Sequence, residues 1–359
     1  MSFQDTKTFL VTGASGFLGR HLLEYLDQHC PQALAKPVVR DQVSWESQKW
    51  VQALHQQVPV TASLEQLLSQ AEQLGPLDGI FHLAALVRHS RHHSQDVYQT
   101  NIQGTLNMVR LAAAKKCRLV YVSTSGTVGV FDSRQQWADE HSPYQDQKIA
   151  GWPYYDSKLQ AERQARKLAS ELGVEMVIIR PPVLLGPGDH RFRSTSHIIR
   201  YLRGKLPFLI EGGMHFIDIR DAAAALVQAM HIEQSQPVYH LSGVACSIGN
   251  FFEMVQRASG VEPPKFYLPY PAALGIAHSA DRLFRLVGKE SPLPDPVVIE
   301  MANKYWDVRS RYAAKDLGFV NRHGQSTIND TVQWLIAHHP KLGHLSVATG
   351  DKHLASARP

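Results

Sequence analysis

Short continuous runs of apolar residues recur along most of the chain and predict buried β-strands. Such runs are typical of strands covered on both faces, whereas strict alternation of apolar and polar residues marks a half-exposed strand. The predicted strands cover residues 8–12, 37–40, 58–60, 79–83, 118–122, 174–179 and 238–241.

Apolar residues with helical spacing separate these runs. Leu18, Leu22 and Leu26 recur every four positions after the first strand, and similar patterns predict helices over about 101–116 and 155–172. Strands that alternate with helices predict an α/β fold with a doubly wound parallel Rossmann sheet. Ligands of such sheets bind outside the carboxyl ends of the strands, so the residues after each strand form the candidate site.

A glycine-rich turn follows the first strand. Gly13, Gly16 and Gly19 recur at every third position, between a predicted strand and a predicted amphipathic helix. Glycine there permits a tight turn and a close approach of the backbone to a pyrophosphate, and the helix N-terminus attracts phosphate. The predicted cofactor-binding residues of this turn are Gly13, Ser15, Gly16, Phe17, Leu18 and Gly19.

The second predicted strand runs into Arg40 and Asp41. An acidic residue at this point holds the ribose hydroxyls of NAD, whereas an arginine favours the 2′-phosphate of NADP. Because the arginine comes first, we expect Arg40 to bind the cofactor and NADP(H) to be preferred. Two alternatives stay open. Arg40 is an ordinary solvated charge, or Asp41 binds the ribose and the cofactor is NAD(H).

A hydroxyl, a tyrosine and a lysine form the candidate catalytic group. Thr124 and Ser125 follow the fifth strand, and Tyr154 and Lys158 stand four residues apart, on one face of the next helix. A tyrosine that exchanges protons near neutral pH must lose about three units from its reference pKa of ~10, and a nearby ammonium supplies part of that shift. We predict Tyr154 as acid and base, Lys158 as its charge partner and Thr124 as the hydroxyl that orients substrate, with Ser125 as the alternative.

Small residues follow the fourth strand, where Leu83, Ala84 and Ala85 let the backbone pass close to a cofactor. His82, which precedes them, is expected to be packed in the core. The histidine-rich loop over 88–93 raises the alternative of a metal site. We expect no metal, because neither cysteine nor carboxylate accompanies these histidines, and we predict a solvated or substrate-facing loop.

These motifs together resemble the extended short-chain dehydrogenase/reductase superfamily, from near Thr8 to about Leu335. The resemblance implies that Asn101 organises a proton relay behind the lysine, and that the segment with Pro181 and Val183 meets the nicotinamide amide. Segments near 267–271 and 305–308 look like the 3β-hydroxysteroid dehydrogenase and dihydroflavonol reductase branch. That branch implies a small hydrophobic alcohol or ketone as substrate, steroid-, flavonol- or polyketide-like.

Two other functions compete with a ketone reductase on this fold. The first is a nucleotide-sugar epimerase with tightly bound NAD. The related dehydratases carry an Asp-Glu pair after the active-site hydroxyl, where this chain has Ser125 and Gly126. The second is a non-catalytic NADP-binding regulator, which is disfavoured because Tyr154 and Lys158 are both retained.

The predicted organisation is a cofactor domain over 1–183 with 214–250, a smaller, mostly C-terminal substrate lobe over 184–213 with 251–336, and a flexible tail over 337–359. An apolar stretch over 267–289 is an ordinary helix of the lobe or, alternatively, a contact for a membrane surface or carrier. The resemblance also implies a homodimer through the helices that begin near Asn101 and Tyr155.

Composition narrows the kinds of partner and the cellular location that the sequence predicts. The chain has 359 residues, a net charge of +5 and a pI near 9.0, but its basic residues are scattered, so no nucleic-acid partner is expected. Three widely separated cysteines predict reduced thiols in a cytoplasmic protein. The polar residues at the start of the chain predict no secretory signal.

Overall fold

Strands and helices alternate along the first half of the computed structural model, which describes residues 6–289, 291 and 293–345. The strands are β1 (Lys7–Thr12), β2 (Ala33–Val39), β3 (Val60–Thr61), β4 (Gly79–His82), β5 (Arg118–Val122), β6 (Val130–Phe131), β7 (Met176–Arg180), β8 (Val183–Leu185), β9 (Gly213–Asp218), β10 (Val238–His240), β11 (Val244–Ser247) and β12 (Tyr305–Trp306). The helices are α1 (Phe17–His29), α2 (Gln42–Glu46), α3 (Lys49–Gln52), α4 (Gln66–Ser69), α5 (Gln95–Tyr98), α6 (Gly104–Lys115), α7 (Asp146–Ile149), α8 (Pro153–Leu172), α9 (Ser196–Leu202), α10 (Ile219–His231), α11 (Ile248–Ser259), α12 (Tyr270–Leu286), α13 (Pro296–Ala302), α14 (Ala313–Leu317) and α15 (Gly324–His338).

Seven parallel strands form the central sheet in the order β10-β7-β5-β4-β1-β2-β3. The chain builds the sheet outward from β1 in one direction and from β4 in the other. The strand order therefore reverses between β1 and β4, where open parallel sheets form their ligand crevice. This topology confirms the predicted doubly wound Rossmann sheet.

Helices cover both faces of the sheet and bury its side chains. On one face α1 and α10 pack together, with Leu22 and Leu226 almost fully buried. On the other face α6 and α8 pack together, with Met108 and Ala165 fully buried. Burial on both faces explains why the strands read as continuous apolar runs.

Local signals set the ends of the long helix α8. Pro153 occupies its first turn, where a missing N–H costs nothing. Gly173 ends it in the left-handed conformation with φ +65°. The predicted helix over 155–172 therefore has the right end, and the observed helix begins two residues earlier than predicted.

Elements from the second half of the chain form a smaller packed unit. The sheet β11-β9-β8 and helices α9, α11 and α15 share a separate apolar core that includes Ile198, Phe251 and Leu335. The lobe boundaries given above remain a proposal. Helix α15 runs to His338 and Leu342 is fully buried, so ordered packing continues past residue 336. Residues 346–359 of the predicted tail lie outside the described residues.

Helix α12 is the most exposed long helix of this half of the chain. Leu283 and Leu286 are 61% and 78% exposed, and only Ala273 and Ala277 are buried. Among the described residues, no helix is both long and apolar enough to cross a bilayer. The alternative of a membrane or carrier contact over 267–289 stays a prediction.

Candidate active site

The glycine-rich turn lies at the reversal point of the sheet. Gly13 has φ +71°, and a Cβ there would lie 2.7 Å from the backbone nitrogen of Ala84, after β4. A Cβ on Gly19 would collide with the carbonyl oxygen of Gly13. The turn thus brings the ends of β1 and β4 and the N-terminus of α1 together without side chains between them. This is the shape that a dinucleotide pyrophosphate requires.

The carboxyl end of β2 lies beside this turn, because β1 and β2 are paired in parallel. Asp41 there caps α2, since one carboxylate oxygen accepts hydrogen bonds from the backbone nitrogens of Val43 (3.0 Å) and Ser44 (3.2 Å). Arg40 is exposed, and no carboxylate of the described residues forms an ion pair with it. Its guanidinium is therefore available for an anion, while the Asp41 carboxylate is engaged by the helix.

His82 braces the loop after β4. Its ring nitrogens lie 2.7 Å from the Thr12 hydroxyl and 3.1 Å from the Thr105 hydroxyl, and the residue is 1% exposed. Burial lowers its pKa to about 3, with a smaller contribution from Lys158, so the ring is neutral. Thr12 also accepts a hydrogen bond from the nitrogen of Ala84. His82 is therefore a packed residue that positions the backbone of Leu83, Ala84 and Ala85.

Lys158 is buried beneath the carboxyl end of β5. Its ammonium donates to the carbonyl oxygen of Val122 at 2.6 Å and lies 4.3 Å above the centre of the Tyr121 ring. Burial lowers the Lys158 pKa to about 7, although the Glu162 carboxylate opposes this shift. These two contacts hold the lysine in place. Because its pKa lies near neutrality, a negative charge beside it would favour the protonated form.

Tyr154 lies one helical turn before Lys158 in α8. Burial raises the Tyr154 pKa to about 12, because a phenolate would lose its hydration there. In the protein alone, this tyrosine is therefore a weaker acid than one in water. A positive charge beside the phenolate would lower this pKa.

Thr124 and Ser125 both lie beyond the end of β5, and both are more than nine-tenths buried. The Thr124 hydroxyl accepts a hydrogen bond from the Gly126 nitrogen at 3.3 Å. The Ser125 nitrogen donates to the carbonyl oxygen of Pro181 at 2.9 Å, which links this turn to the segment that contains Val183. The roles predicted for Thr124, Pro181 and Val183 remain proposals.

Asn101 lies in a π-helical turn over Gln99–Gln103 that precedes α6, so the regular helix begins three residues later than expected. Its side-chain amide bonds both the nitrogen (2.7 Å) and the carbonyl oxygen (3.1 Å) of Leu86, and it donates to the Ser157 hydroxyl at 2.9 Å. Asn101 thereby ties the loop after β4 to the residue next to Lys158. The proton-relay role implied by the family resemblance remains a proposal.

The histidine-rich loop contributes a residue that the sequence did not single out. The His89 ring lies edge-on to Tyr154, with centroids 5.8 Å apart, and its buried Nδ1 has no partner among the described residues. Burial lowers the His89 pKa. No group of three metal-binding side chains occurs in the described part of the chain. In the sequence, the position of this loop after the fourth strand was the only indication that it could face the substrate.

A buried ion pair under the site was also missed. Glu162 and Arg180 are 0% and 2% exposed and form a bidentate ion pair, in which two guanidinium nitrogens donate to the two carboxylate oxygens. Glu162 also accepts hydrogen bonds from the hydroxyls of Ser123 (2.7 Å) and Tyr144 (2.8 Å). The pair joins α8, one turn beyond Lys158, to the ends of β5 and β7, and thus fixes the helix relative to the sheet.

A glycine turn at the reversal point of a parallel sheet, with a tyrosine and a buried lysine at the neighbouring strand end, defines a class: Rossmann-fold enzymes that use NAD(P) at CH–OH carbons. A family model confirms this class. The chain belongs to the NAD dependent epimerase/dehydratase family, whose model matches residues 9–245. The prediction of an NAD(P)-dependent enzyme of the extended short-chain dehydrogenase/reductase type is confirmed.

Relatives refine the family assignment. A protein of Synechocystis sp. provisionally assigned as a dihydroflavonol 4-reductase is 28% identical, over 92% of this chain and 95% of the relative. The 4-hydroxy-2-methyl-3-oxo-4-farnesyl-3,4-dihydroquinoline-1-oxide ketoreductase of Stigmatella aurantiaca is 27% identical, over 88% and 92%. The crystal structure of gox2253 superposes with a TM-score of 0.77 at 25% identity, over 93% and 99%. The two relatives carry reductase names, in agreement with the branch named above, and the superposed structure shares the fold.

Proposed function

We propose that this protein is an NADP(H)-preferring oxidoreductase that interconverts a ketone and a secondary alcohol on a hydrophobic substrate. The observation that carries the proposal is the pairing of Tyr154 with the buried Lys158 on one face of α8, at the end of β5. The relatives named as reductases of a dihydroflavonol and a farnesylated quinoline support the reaction and the substrate class.

The residues present fit a dinucleotide. The glycine turn offers backbone amides and a clear path to the pyrophosphate, and the free Arg40 beside the capped Asp41 favours a 2′-phosphate over a bare ribose. The bound cofactor supplies or accepts the hydride. Reduction then needs a proton at the alkoxide oxygen, and we assign the Tyr154 hydroxyl as its donor.

The remaining groups stabilise charge on Tyr154, orient the substrate or hold the helix in place. A phenolate at Tyr154 is stabilised by the Lys158 ammonium, and the same attraction raises the lysine pKa from about 7. The Thr124 hydroxyl is the donor that holds the substrate oxygen in line with Tyr154. Asn101 and the Glu162–Arg180 pair keep α8 in position.

Aromatic rings beside the tyrosine support a flat, hydrophobic substrate. Tyr155 packs against Tyr154 with centroids 5.2 Å apart and against Trp306 at 5.2 Å, and Trp152 stacks on Trp306 at 6.0 Å. Tyr155 and Trp152 are buried in this cluster, so the half-buried Tyr154 and Trp306 are the rings of it that we assign to substrate contact. His89 adds a polar ring at the same place.

The test is a screen of cyclic hydrophobic ketones for loss of NADPH absorbance. Turnover of at least one ketone with wild-type protein, abolished in Tyr154→Phe, would support the proposal. A nucleotide-sugar epimerase would instead retain NAD through purification and convert a sugar nucleotide with no net change in absorbance, and that result would replace the proposal.

A further inference from the structure

A second arginine reaches the glycine-rich turn from a distant part of the chain. Arg191 belongs to the connection between β8 and α9, yet its Nη2 donates to the Ser15 hydroxyl at 3.1 Å, across 176 residues. Ser15 lies between Gly13 and Gly16, in the turn assigned to the cofactor phosphates. The contact therefore joins the segment over 186–195, here called the strap, to the mouth of the cofactor site.

Contacts that do not involve Arg191 hold the strap in this position. The Pro187 carbonyl oxygen is hydrogen-bonded to His21 Nε2, in α1, at 2.8 Å. Asp189 is 2% exposed and accepts from both the nitrogen and the hydroxyl of Thr195, at 3.0 and 2.9 Å. Gly188, with φ +95°, lets the strap lie against α1. Arg191 is thus presented to the turn by an already built support.

Like charges converge at this point. Arg40, Arg191 and Arg193 are all exposed, and no ion pair joins any of them to a carboxylate of the described residues. The pKa of Arg191 is lowered by partial burial and then by repulsion from Arg193 and Arg40, which is only partly offset by Asp189. Three cations brought together from two segments repel one another unless an anion lies between them.

The sheet indicates which anion fits. Ser15 follows β1 and Arg40 follows β2, and these strands pair in parallel with Val11 opposite Pro37. In a sheet of this kind, the adenosine ribose lies between the first turn and the end of the second strand. An anion that reaches Ser15, Arg40 and Arg191 together is therefore a phosphate on that ribose.

We propose that Arg191 binds the 2′-phosphate of NADP(H) together with Arg40, so that the strap completes the cofactor site. The inference rests on the proposed use of NADP(H). The Ser15 hydroxyl is the partner that Arg191 keeps until the phosphate arrives. Guanidinium groups suit this task because they donate two parallel hydrogen bonds to phosphate oxygens.

Calorimetric titration of the full chain tests the assignment with four ligands: NADPH, NADH, 2′,5′-ADP and 5′-AMP. We expect Arg191→Gln to weaken NADPH and 2′,5′-ADP by about 10- to 100-fold, the range for one charge-assisted hydrogen bond. NADH and 5′-AMP are expected to change by less than about twofold, because they lack the 2′-phosphate. Arg191→Lys keeps the charge without the fork and is expected to fall between.

Two further variants make the result specific. Arg110→Gln removes an equal charge from α6, where the exposed side chain donates a hydrogen bond to Asn107, and is expected to leave all four affinities unchanged. The double variant Arg40→Gln/Arg191→Gln is expected to lose less than the product of the single losses, because both groups serve one phosphate. Melting temperatures of all variants establish that the strap still folds.

Equal losses for NADPH and NADH in Arg191→Gln would overturn the inference and make Arg191 a general clasp of the strap. Unchanged NADPH affinity would also overturn it, while a wild-type preference for NADPH would leave the proposed function standing. A wild-type protein that binds NADH more tightly than NADPH would refute the proposed cofactor preference itself, before any variant is compared.

Discussion

Replacing Lys158 with methionine removes the only charge that the proposed mechanism places beside Tyr154 within the protein. Methionine approximates the length of the lysine stem and suits a position that is 2% exposed. Tyr154 and Lys158 are four residues apart on one helix face, and we take about 6 Å as the separation of a Tyr154 phenolate and the Lys158 ammonium. Two unit charges about 6 Å apart interact by ~3 kcal/mol at an effective dielectric constant of ~20.

That energy sets the expected shift. Since one pKa unit corresponds to ~1.4 kcal/mol, the loss of Lys158 raises the Tyr154 pKa by about two units. Alcohol oxidation requires the phenolate, so activity rises with pH through the Tyr154 pKa and falls below it. In Lys158→Met the rising limb therefore moves about two units higher, and the rate on the wild-type limb drops by about 100-fold.

The assay is the pH profile of kcat/KM for alcohol oxidation with saturating NADP⁺, from below neutrality to about pH 10, the reference pKa of tyrosine. Lys167→Met is the matched control, because Lys167 lies on the same helix and its side chain is 81% exposed. A limb that stays in place in Lys158→Met, with turnover merely reduced, would refute the electrostatic role and leave Lys158 only a positioning residue.

Three further predictions concern the groups around this pair. Glu162→Gln leaves the Arg180 guanidinium buried without its counter-charge, and we expect urea titration to show a loss of ~3–5 kcal/mol in the free energy of unfolding. The control is Glu171→Gln at an exposed position of the same helix, for which we expect a loss of less than ~1 kcal/mol. Equal losses in the two variants would contradict the buried-pair argument. His89→Phe keeps the aromatic contact with Tyr154 but removes the ring nitrogens, and we expect a higher KM for the ketone with unchanged NADPH affinity; an unchanged KM would place His89 outside the substrate site. Gly13→Ala places a Cβ 2.7 Å from a backbone nitrogen at φ +71°, and we expect calorimetry to show lost NADPH binding; wild-type affinity would show that the turn tolerates a side chain.

The sequence predicted the parts of this molecule that depend on local patterns. Continuous apolar runs identified the parallel sheet, and Gly173 marked the end of α8 correctly. The start of β2 was missed by four residues, because Lys36 interrupts the apolar run while its ammonium reaches the Leu74 carbonyl oxygen. This half-buried side chain in the middle of β2 satisfies its ammonium with a backbone carbonyl oxygen outside the sheet, which a pattern of apolar letters does not reveal.

Contacts between distant segments lay beyond prediction. The spacing of Tyr154 and Lys158 follows from helix geometry and was visible in the sequence. The pairing of Glu162 with Arg180 and the reach of Arg191 to Ser15 depend on how strands and loops meet in space. Charged residues in such segments are solvated by default, so only the fold could assign them partners.

Tyr154→Phe tests the central claim most directly, because it removes one hydroxyl and keeps the ring. The measurement combines NADPH affinity by calorimetry with turnover of an accepted ketone by loss of NADPH absorbance, alongside Tyr25→Phe, whose ring stacks on His29 in α1. We predict NADPH affinity within about twofold of wild type in both variants, with turnover lost by at least ~100-fold only in Tyr154→Phe. Turnover near the wild-type level in Tyr154→Phe would contradict the assignment of Tyr154 as the proton donor.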